Sequence, residues 1–312
     1  MNLPENIVQF YLNYKLNGLT EEMINEFKSI VYEFHEKNPR IFPWRDTENP
    51  YYVFVSEFML QQTQAERVVD KFNQFIAKFP DFYSLANSEQ KDILKVWHGL
   101  GYNRRAIWLK DAAIRIVNEF DGQLPEDPQT LEWIKGIGHA TAREMTIFAY
   151  NKKFYPFIET NIRRTYIYMF FREEENISDK ILFEFIEKTA DHNNPRKWGY
   201  AIMDFGVFLK KMLPKQNPNK KSKEYKVQAK FLGSNRQLRG IILKVLLEKK
   251  EIDKSDLINL VLKERFSIIK TLEDFAKGKQ KEQELKEQIE KNIETLIREK
   301  FIKEKEGKVL LI

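Results

Sequence analysis

Residues 131–164 constrain the fold of this chain more than any other stretch. They read LEWIKGIGHATAREMTIFAYNKKFYPFIETNIRR. A short apolar run ends at Ile134, Gly136-Ile137-Gly138 makes a tight turn, and a helix starts through Thr141, Ala142, Met145, Ile147 and Phe148. Two glycines around one apolar residue let the backbone turn sharply and leave bare N–H groups at a helix N-terminus, a natural seat for an anion such as phosphate. Further on, Glu159 lies in a non-helical Pro-Phe-Ile-Glu-Thr-Asn run that opens the next helix. A phosphate grip beside a carboxylate suggests a protein that holds nucleic acid by its backbone and performs acid/base chemistry next to it. Taken alone, the turn serves equally as a plain connector and Glu159 as a dipole partner.

The remaining chain narrows these alternatives. The 312 residues are 42% hydrophobic, enough for two or three domains with real cores. A net charge of +6 permits an anionic partner without requiring one. With no cysteine, the sequence can build neither a disulfide nor a thiolate metal site nor an iron–sulfur cluster, and its four scattered histidines offer no metal-ligand spacing. No apolar run reaches the ~20 residues a membrane span needs, and the N-terminus lacks a basic-then-apolar signal, so a soluble, cytoplasmic protein is expected.

In chain order, residues 1–37 carry the apolar period of packing helices, with Thr20-Glu21-Glu22-Met23 as a helix start. Pro39 and Pro43 then break the helix and lead into Trp44 and Arg45, either an interdomain crossover or a stacking-plus-cation pair suited to a base. Pro50 to Phe79 reads as two helices. Glu57 sits at the edge of an apolar face, where a carboxylate is either paired or tuned. Gln61, Gln62, Thr63 and Gln64 form a block of uncharged hydrogen-bonding groups suited to insertion among bases, or simply a polar helix end. Two more helices flank Trp97 to Arg105, where Gly99, Leu100, Gly101, Tyr102 and Arg105 make a loop able to approach a phosphate backbone and wedge its apolar tip. Asp204, in an apolar helix, reads most simply as a buried, satisfied partner.

Lys210 to Lys230 holds eight lysines against one acid, Glu224, and reads as a basic linker that also favours phosphate. From Arg236 onward a separate small domain is expected. It opens with an amphipathic helix, and Ile252–Leu257 resembles the start of a helix-turn-helix. A charged stretch (Lys277–Lys286), a long helix through Ile289 and Ile297, and a terminal hairpin over Phe301–Ile312 with a Glu-Gly turn complete a winged-helix pattern.

Assembled, these motifs resemble the helix-hairpin-helix DNA glycosylases, and among them the MutY-type adenine glycosylases. Pro43-Trp44-Arg45, Ser56-Glu57-x-Met59-Leu60-Gln61-Gln62-Thr63-Gln64, Gly99-Leu100-Gly101-Tyr102-Asn103-x-Arg105-Ala106 and Ile134-x-Gly136-Ile137-Gly138-x-x-Thr141-Ala142 are similar to four segments of that family in the right order, covering roughly residues 38–209. The resemblance implies a mainly α fold: a two-lobed core over 1–209 (a six-helix lobe about 50–154 and a second lobe from 1–49 and 155–209), a linker over 210–234 and the winged-helix-like domain over 235–312. It implies double-stranded DNA carrying a mismatched or damaged base as the partner of a monomeric enzyme, with the target base flipped out. Glu57 matches the acid that protonates adenine, Gln62 the residue inserted into the stack, and Tyr102 the side chain intercalated on the opposite strand. Trp44 and Arg45 fall in the base-pocket segment, Asn161 matches the asparagine that orients the catalytic carboxylates, and Asp204 matches an acidic position near the pocket. The expected activity is removal of adenine opposite guanine or 8-oxoguanine, with thymine or uracil opposite guanine as the alternative, and a catalytically weakened DNA binder as a third.

Three departures from the family's pattern, and one further position, bear on its chemistry. Glu159 stands where the family has a catalytic aspartate. Its arm is one methylene longer, and a displacement of about 1 Å can cost ~10²-fold in rate. Lys210, Asn217, Lys220 and Lys226 stand about where the family's iron–sulfur cysteines would be, so no cofactor is expected; a monovalent cation at the hairpin stays open. The family's C-terminal domain, which reads oxidised guanine, is replaced. Finally, Ala140 occupies the position of the Schiff-base lysine of lyase-type relatives, so a monofunctional glycosylase is expected.

Overall fold

The computed structural model describes residues 4–227, 230–269 and 278–312. The chain is mainly helical. In order it forms α1 (Glu5–Asn17), α2 (Glu21–Lys37), α3 (Pro50–Leu60), α4 (Ala65–Lys78), α5 (Phe82–Ala86), α6 (Gln90–Trp97), α7 (Arg104–Phe120), α8 (Pro128–Glu132), α9 (His139–Tyr150), α10 (Thr160–Phe170), α11 (Asp179–Thr189) and α12 (Pro195–Met212). A 3₁₀ turn (Pro218–Lys221) follows, then α13 (Asn235–Lys249), β1 (Glu251–Asp253), α14 (Lys254–Ile269), α15 (Gly278–Arg298), β2 (Ile302–Lys305) and β3 (Lys308–Leu311). It divides into two compact units, Met1–Gln61 with Arg115–Val227, and Gln62–Ile114 with Gln228–Ile312.

The first unit is built on an aromatic core. Phe27 lies 5.0 Å from Phe170 and 5.9 Å from Trp198, ring to ring, and Phe10 and Tyr166 close the cluster, all buried. Rings of this size bury large apolar areas and dominate the packing of a mainly α core. Within it α10 packs extensively against α12. Gly206 makes this approach possible: a Cβ there would sit 2.2 Å from the backbone oxygen of Asn161. The sequence places helix starts where the structure has them. Thr20 caps α2 by accepting from Met23 N–H, and Asn49 caps α3 ahead of Pro50.

The supposed linker is not a free tether over its middle. Asn217 caps the 3₁₀ turn, buried Asn219 donates to Thr160 O at 3.0 Å, and Ile177 pairs with Ser222 in a short parallel bridge. These contacts, with Lys221 donating to Glu174 O and pairing with Glu175, dock residues 217–223 onto the start of α10 and the turn before α11, which composition could not reveal because the partners lie tens of residues away.

In the second unit, α4 and α6 pack through Val68, Phe72, Phe75, Ile93, Leu94 and Trp97. Its C-terminal part folds α13, α14 and α15 over a three-stranded antiparallel sheet of order β1-β3-β2. The expected terminal hairpin is present, turning through Glu306 and Gly307, both left-handed. Ile252 differs from its expected helix-turn-helix role: it lies in β1, paired with Val309, and α14 begins two residues later. A three-residue strand completed by a partner 57 positions away leaves no local period to read. Of the charged stretch Lys277–Lys286, Lys277 lies outside the described residues.

Candidate active site

Within the first unit, three carboxylates from three helices converge. Glu57 comes from the middle of α3, Glu144 from α9, and Glu159 stands at the N-cap of α10. Glu57 and Glu144 are each 8% exposed, and their side chains share a hydrogen bond. Burial is the largest influence on all three, and it pushes each carboxyl upward because an ionised carboxylate loses its hydration there. Glu57 reaches about 8: the bond from Glu144 and the nearby Arg45 pull it down, while the charge of Glu159 pushes it up. Glu144 rises well above the usual carboxylate range, with the charges of Glu57 and Glu159 adding to its burial.

Glu159 is held differently. Its Oε1 accepts from the backbone N–H groups of Asn161 and Ile162, both at 2.7 Å, and its Oε2 accepts from Asn161 Nδ2 at 3.1 Å. Both oxygens are therefore used as acceptors at a helix N-terminus, the arrangement of an anion, although burial outweighs these donors and the Arg164 and Arg163 charges. Asn161 is fixed in turn: Arg164, itself buried, donates to Asn161 Oδ1 at 2.7 Å and to Gly206 O at 3.0 Å. So α12, through Gly206, sets the amide that orients Glu159.

A second cluster sits on Asp204, which is fully buried. Arg45 donates to both of its oxygens at 2.7 and 2.9 Å, Arg40 lies 3.3 Å away, and His35 Nδ1 is also at 3.3 Å. Burial raises the Asp204 carboxyl, but its hydrogen bonds with His35 and Arg45 and the two arginine charges bring it below the usual range. Arg45 is further sandwiched by Tyr200, 4.4 Å from its ring centre, and Phe42. Its fork is thus engaged by Asp204, and Trp44 is buried in a stack on Phe42 at 5.0 Å. The expected base-reading pair is anchored within this unit, and Asp204 is the satisfied partner its surroundings suggested.

The hairpin also lies in this unit. Gly136 is left-handed with φ 95°, whereas Gly138 adopts an extended backbone open to any residue, caps α9 without a side-chain bond, and has open space where a Cβ would be. Thr141 is half-buried in the first turn of α9. Gln61, expected among the inserting groups, donates to Gly136 O at 3.0 Å and ties the end of α3 to the hairpin.

The other expected contacts fall in the second unit. Gln62 is exposed and left-handed at φ 55°. The loop after α6 turns through Gly99, Gly101 and Tyr102, all with positive φ, which glycine adopts freely and which strains Tyr102. Leu100 is buried beneath it rather than presented as an apolar tip, since its neighbours' turn points the side chain inward. Arg105 is buried too and holds the loop from inside, donating to Leu100 O, Gly101 O and Thr63 Oγ1. Burial lowers its guanidinium to about 10. Tyr102 is bonded at its hydroxyl by Arg236 of α13, whose guanidinium also lies 5.2 Å from its ring centre.

Two residues of the first-unit site, Glu144 and Arg164, escaped sequence reasoning. The available signal was an adjacent pair of charged residues, Arg143-Glu144 and Arg163-Arg164, at the head of an apolar helical run in each case.

Residues 55–190 match the family model of the HhH-GPD superfamily base excision DNA repair protein. The chain is 31% identical over 184 residues to the adenine DNA glycosylase of Buchnera aphidicola subsp. Baizongia pistaciae, covering 59% of this chain and 52% of that protein. It is 26% identical over 197 residues to the thymine/uracil-DNA glycosylase of Methanothermobacter thermautotrophicus, covering 62% of this chain and 89% of that protein. The solved structure of a thermostable thymine-DNA glycosylase matches with a TM-score of 0.52 at 25% identity, over 59% of this chain and 86% of that one. The chain thus spans about half the length of the adenine glycosylase relative it matches.

Proposed function

We propose that this chain, whose residues 55–190 match the family model of the HhH-GPD superfamily base excision DNA repair protein, is a monofunctional DNA glycosylase. Its substrate is adenine opposite guanine or 8-oxoguanine in double-stranded DNA. The observation that carries this reading is the pairing of a carboxyl kept protonated, Glu57, with a carboxylate held by three donors, Glu159. Burial raises both carboxyls, but Glu159 has its oxygens taken up by backbone and amide donors that favour the ionised form, and two acids given such different surroundings suit acid/base work. Glu57 gives its proton to a ring nitrogen of the flipped base, which then leaves as a neutral molecule. Glu159 faces the positive charge that builds on the sugar as the N-glycosidic bond breaks, and Asn161 holds it there. Water adds to the sugar carbon and leaves an abasic site. Ala140, in the first turn of α9, supplies no amine for strand cleavage. Gly136, Gly138 and Thr141 grip a phosphate at the bare N-terminus of α9. A DNA substrate places the enzyme with the chromosome.

Excision of thymine or uracil opposite guanine is the second reading, favoured by the thymine/uracil relative that the match covers over 89% of its length. The test is single-turnover base release from duplexes carrying A opposite 8-oxoguanine, A opposite G, T opposite G and U opposite G, with hot alkali revealing abasic sites. Release from the first two pairs is expected, declining as pH rises through about 8, since Glu57 must carry its proton, and falling again on the acid side, where Glu159 gains one. Tight binding without release from every pair would overturn the assignment.

A further inference from the structure

Glu144 has no place in the two-carboxylate scheme. It is a charge-bearing side chain on the inner face of α9, which packs against α3, and Met145, Ile147 and Phe148 around it are all buried. Two carboxyls bonded to each other away from water cannot both be ionised: at low effective dielectric the repulsion far exceeds what a surface pair would feel. At least one proton must lie between them, and the surroundings say whose it is. Arg45 acts on Glu57 and favours its ionised form. Among the described residues, the charges that act on Glu144 are those of Glu57 and Glu159, both anionic when ionised. Tyr200 faces Glu57 as well, but its hydroxyl is neutral at any working pH, because burial pushes it far up. The Glu144 carboxyl is therefore the donor and Glu57 the acceptor.

We infer that Glu144 is a positioning residue for the proposed glycosylase reaction: a neutral carboxylic acid on α9 that donates its hydrogen bond to Glu57 and steadies the carboxylate left when Glu57 protonates the departing base. The step balances as follows. The Glu57 proton goes to the base nitrogen while the N-glycosidic electron pair leaves with the base. Glu144 keeps its own proton and shares it with the new Glu57 carboxylate. Water then gives hydroxide to the sugar and its remaining proton to Glu57, restoring the pair. This rests on the reading of Glu57 as the acid.

Three variants test it. Glu144→Gln still offers an N–H donor, so single-turnover release should stay within about threefold of wild type with the same basic limb. Glu144→Leu offers none: release should fall at least tenfold, and its basic limb should move to higher pH, because the bond that pulls Glu57 down is gone. Wild-type rate and limb in Glu144→Leu would overturn the inference. Infrared spectra of the intact protein between pH 5 and 9 give an answer independent of activity and of whether Glu144→Leu folds. A protonated-carboxyl band that persists above neutrality should vanish in Glu144→Gln, and a second band, titrating near 8, should vanish in Glu57→Gln. If Glu144→Gln removes no such band, Glu144 is ionised and the inference fails. Bands that behave as expected in a protein releasing no base would instead sink the glycosylase reading and leave the proton assignment standing.

Discussion

The helices α9 and α10 lie in the same unit and both begin at a non-helical residue with extended backbone, yet their N-termini are finished in opposite ways. At α10 the cap is Glu159, whose oxygens take up two backbone N–H groups and an amide. At α9 the cap is Gly138, exposed and without any side-chain bond. A helix start leaves several N–H donors unmatched and carries a partial positive charge, so each end attracts an anion. One end has its anion built in, fixed to within a hydrogen bond. The other is left to solvent or to an anion from outside. On the proposed function, the contrast separates two tasks that composition alone merges: holding a carboxylate where chemistry needs it, and gripping a backbone phosphate that arrives with the substrate.

The most damaging way to break this contrast is to neutralise the built-in anion. Glu159→Gln keeps one oxygen for the Asn161 and Ile162 N–H groups but sets its amide against that of Asn161, where two donors now meet. The helix cap should weaken by about 1 kcal/mol. Base release should fall much further, by about 10²-fold or more, because charge stabilisation at the sugar is the larger contribution. Urea titration beside single-turnover release separates the two effects, and release unchanged from wild type would remove Glu159 from the mechanism. The pH dependence of folding carries the same signature in reverse. The Glu57, Glu144 and Glu159 carboxyls are all raised in the folded state, so the native protein binds more protons than the unfolded chain above the ordinary carboxylate range. Stability contributed by these groups is present at low pH and declines as pH rises, for Glu57 through about 8.

Gly206→Ala attacks the same end from behind. The added Cβ would meet Asn161 O at 2.2 Å and Asn161 Cβ at 2.8 Å, contacts that backbone cannot yield cheaply. Overpacking of this kind costs about 1–3 kcal/mol, and the movement falls on the residue that orients Glu159. Both the unfolding midpoint and release should drop, release by roughly tenfold for a shift well under 1 Å. A variant that loses stability but releases base at the wild-type rate would show that Asn161 tolerates displacement.

Much of this was legible in the chain. Helix starts, the glycine turn and the terminal hairpin announce themselves through local spacing, because capping, φ preference and apolar period act over a few residues. Glu57, Glu159 and Asn161 stood in motifs and could be named. What stayed hidden is whatever depends on partners far along the chain. Arg45 reads as free to meet a base until Asp204, 159 positions away, is seen to hold its fork. Leu100 reads as a wedge until its loop turns it inward. Glu144 sits in an ordinary helical run, and only the packing of α9 on α3 brings it to Glu57. The sequence shows which groups are present; the packing decides which of them are already occupied.

The gentlest substitution sharpens the contrast from the α9 side, where two neighbouring glycines do different jobs. Gly136 is left-handed, so Gly136→Ala should cost about 1–2 kcal/mol of stability through backbone strain. Gly138 has φ −90° and ψ 172°, which alanine adopts freely, and nothing lies within 4 Å of its would-be Cβ. Gly138→Ala should therefore change stability by less than about 0.5 kcal/mol. If the bare N-terminus of α9 receives a phosphate, however, that methyl group stands where the phosphate must come. DNA affinity should fall severalfold in Gly138→Ala, measured by titration of a labelled duplex, with a smaller salt dependence because one phosphate contact is lost. Affinity and salt slope equal to wild type would mean that the α9 end is solvent-capped only, and the difference between the two helix starts would then lie wholly in how Glu159 is held.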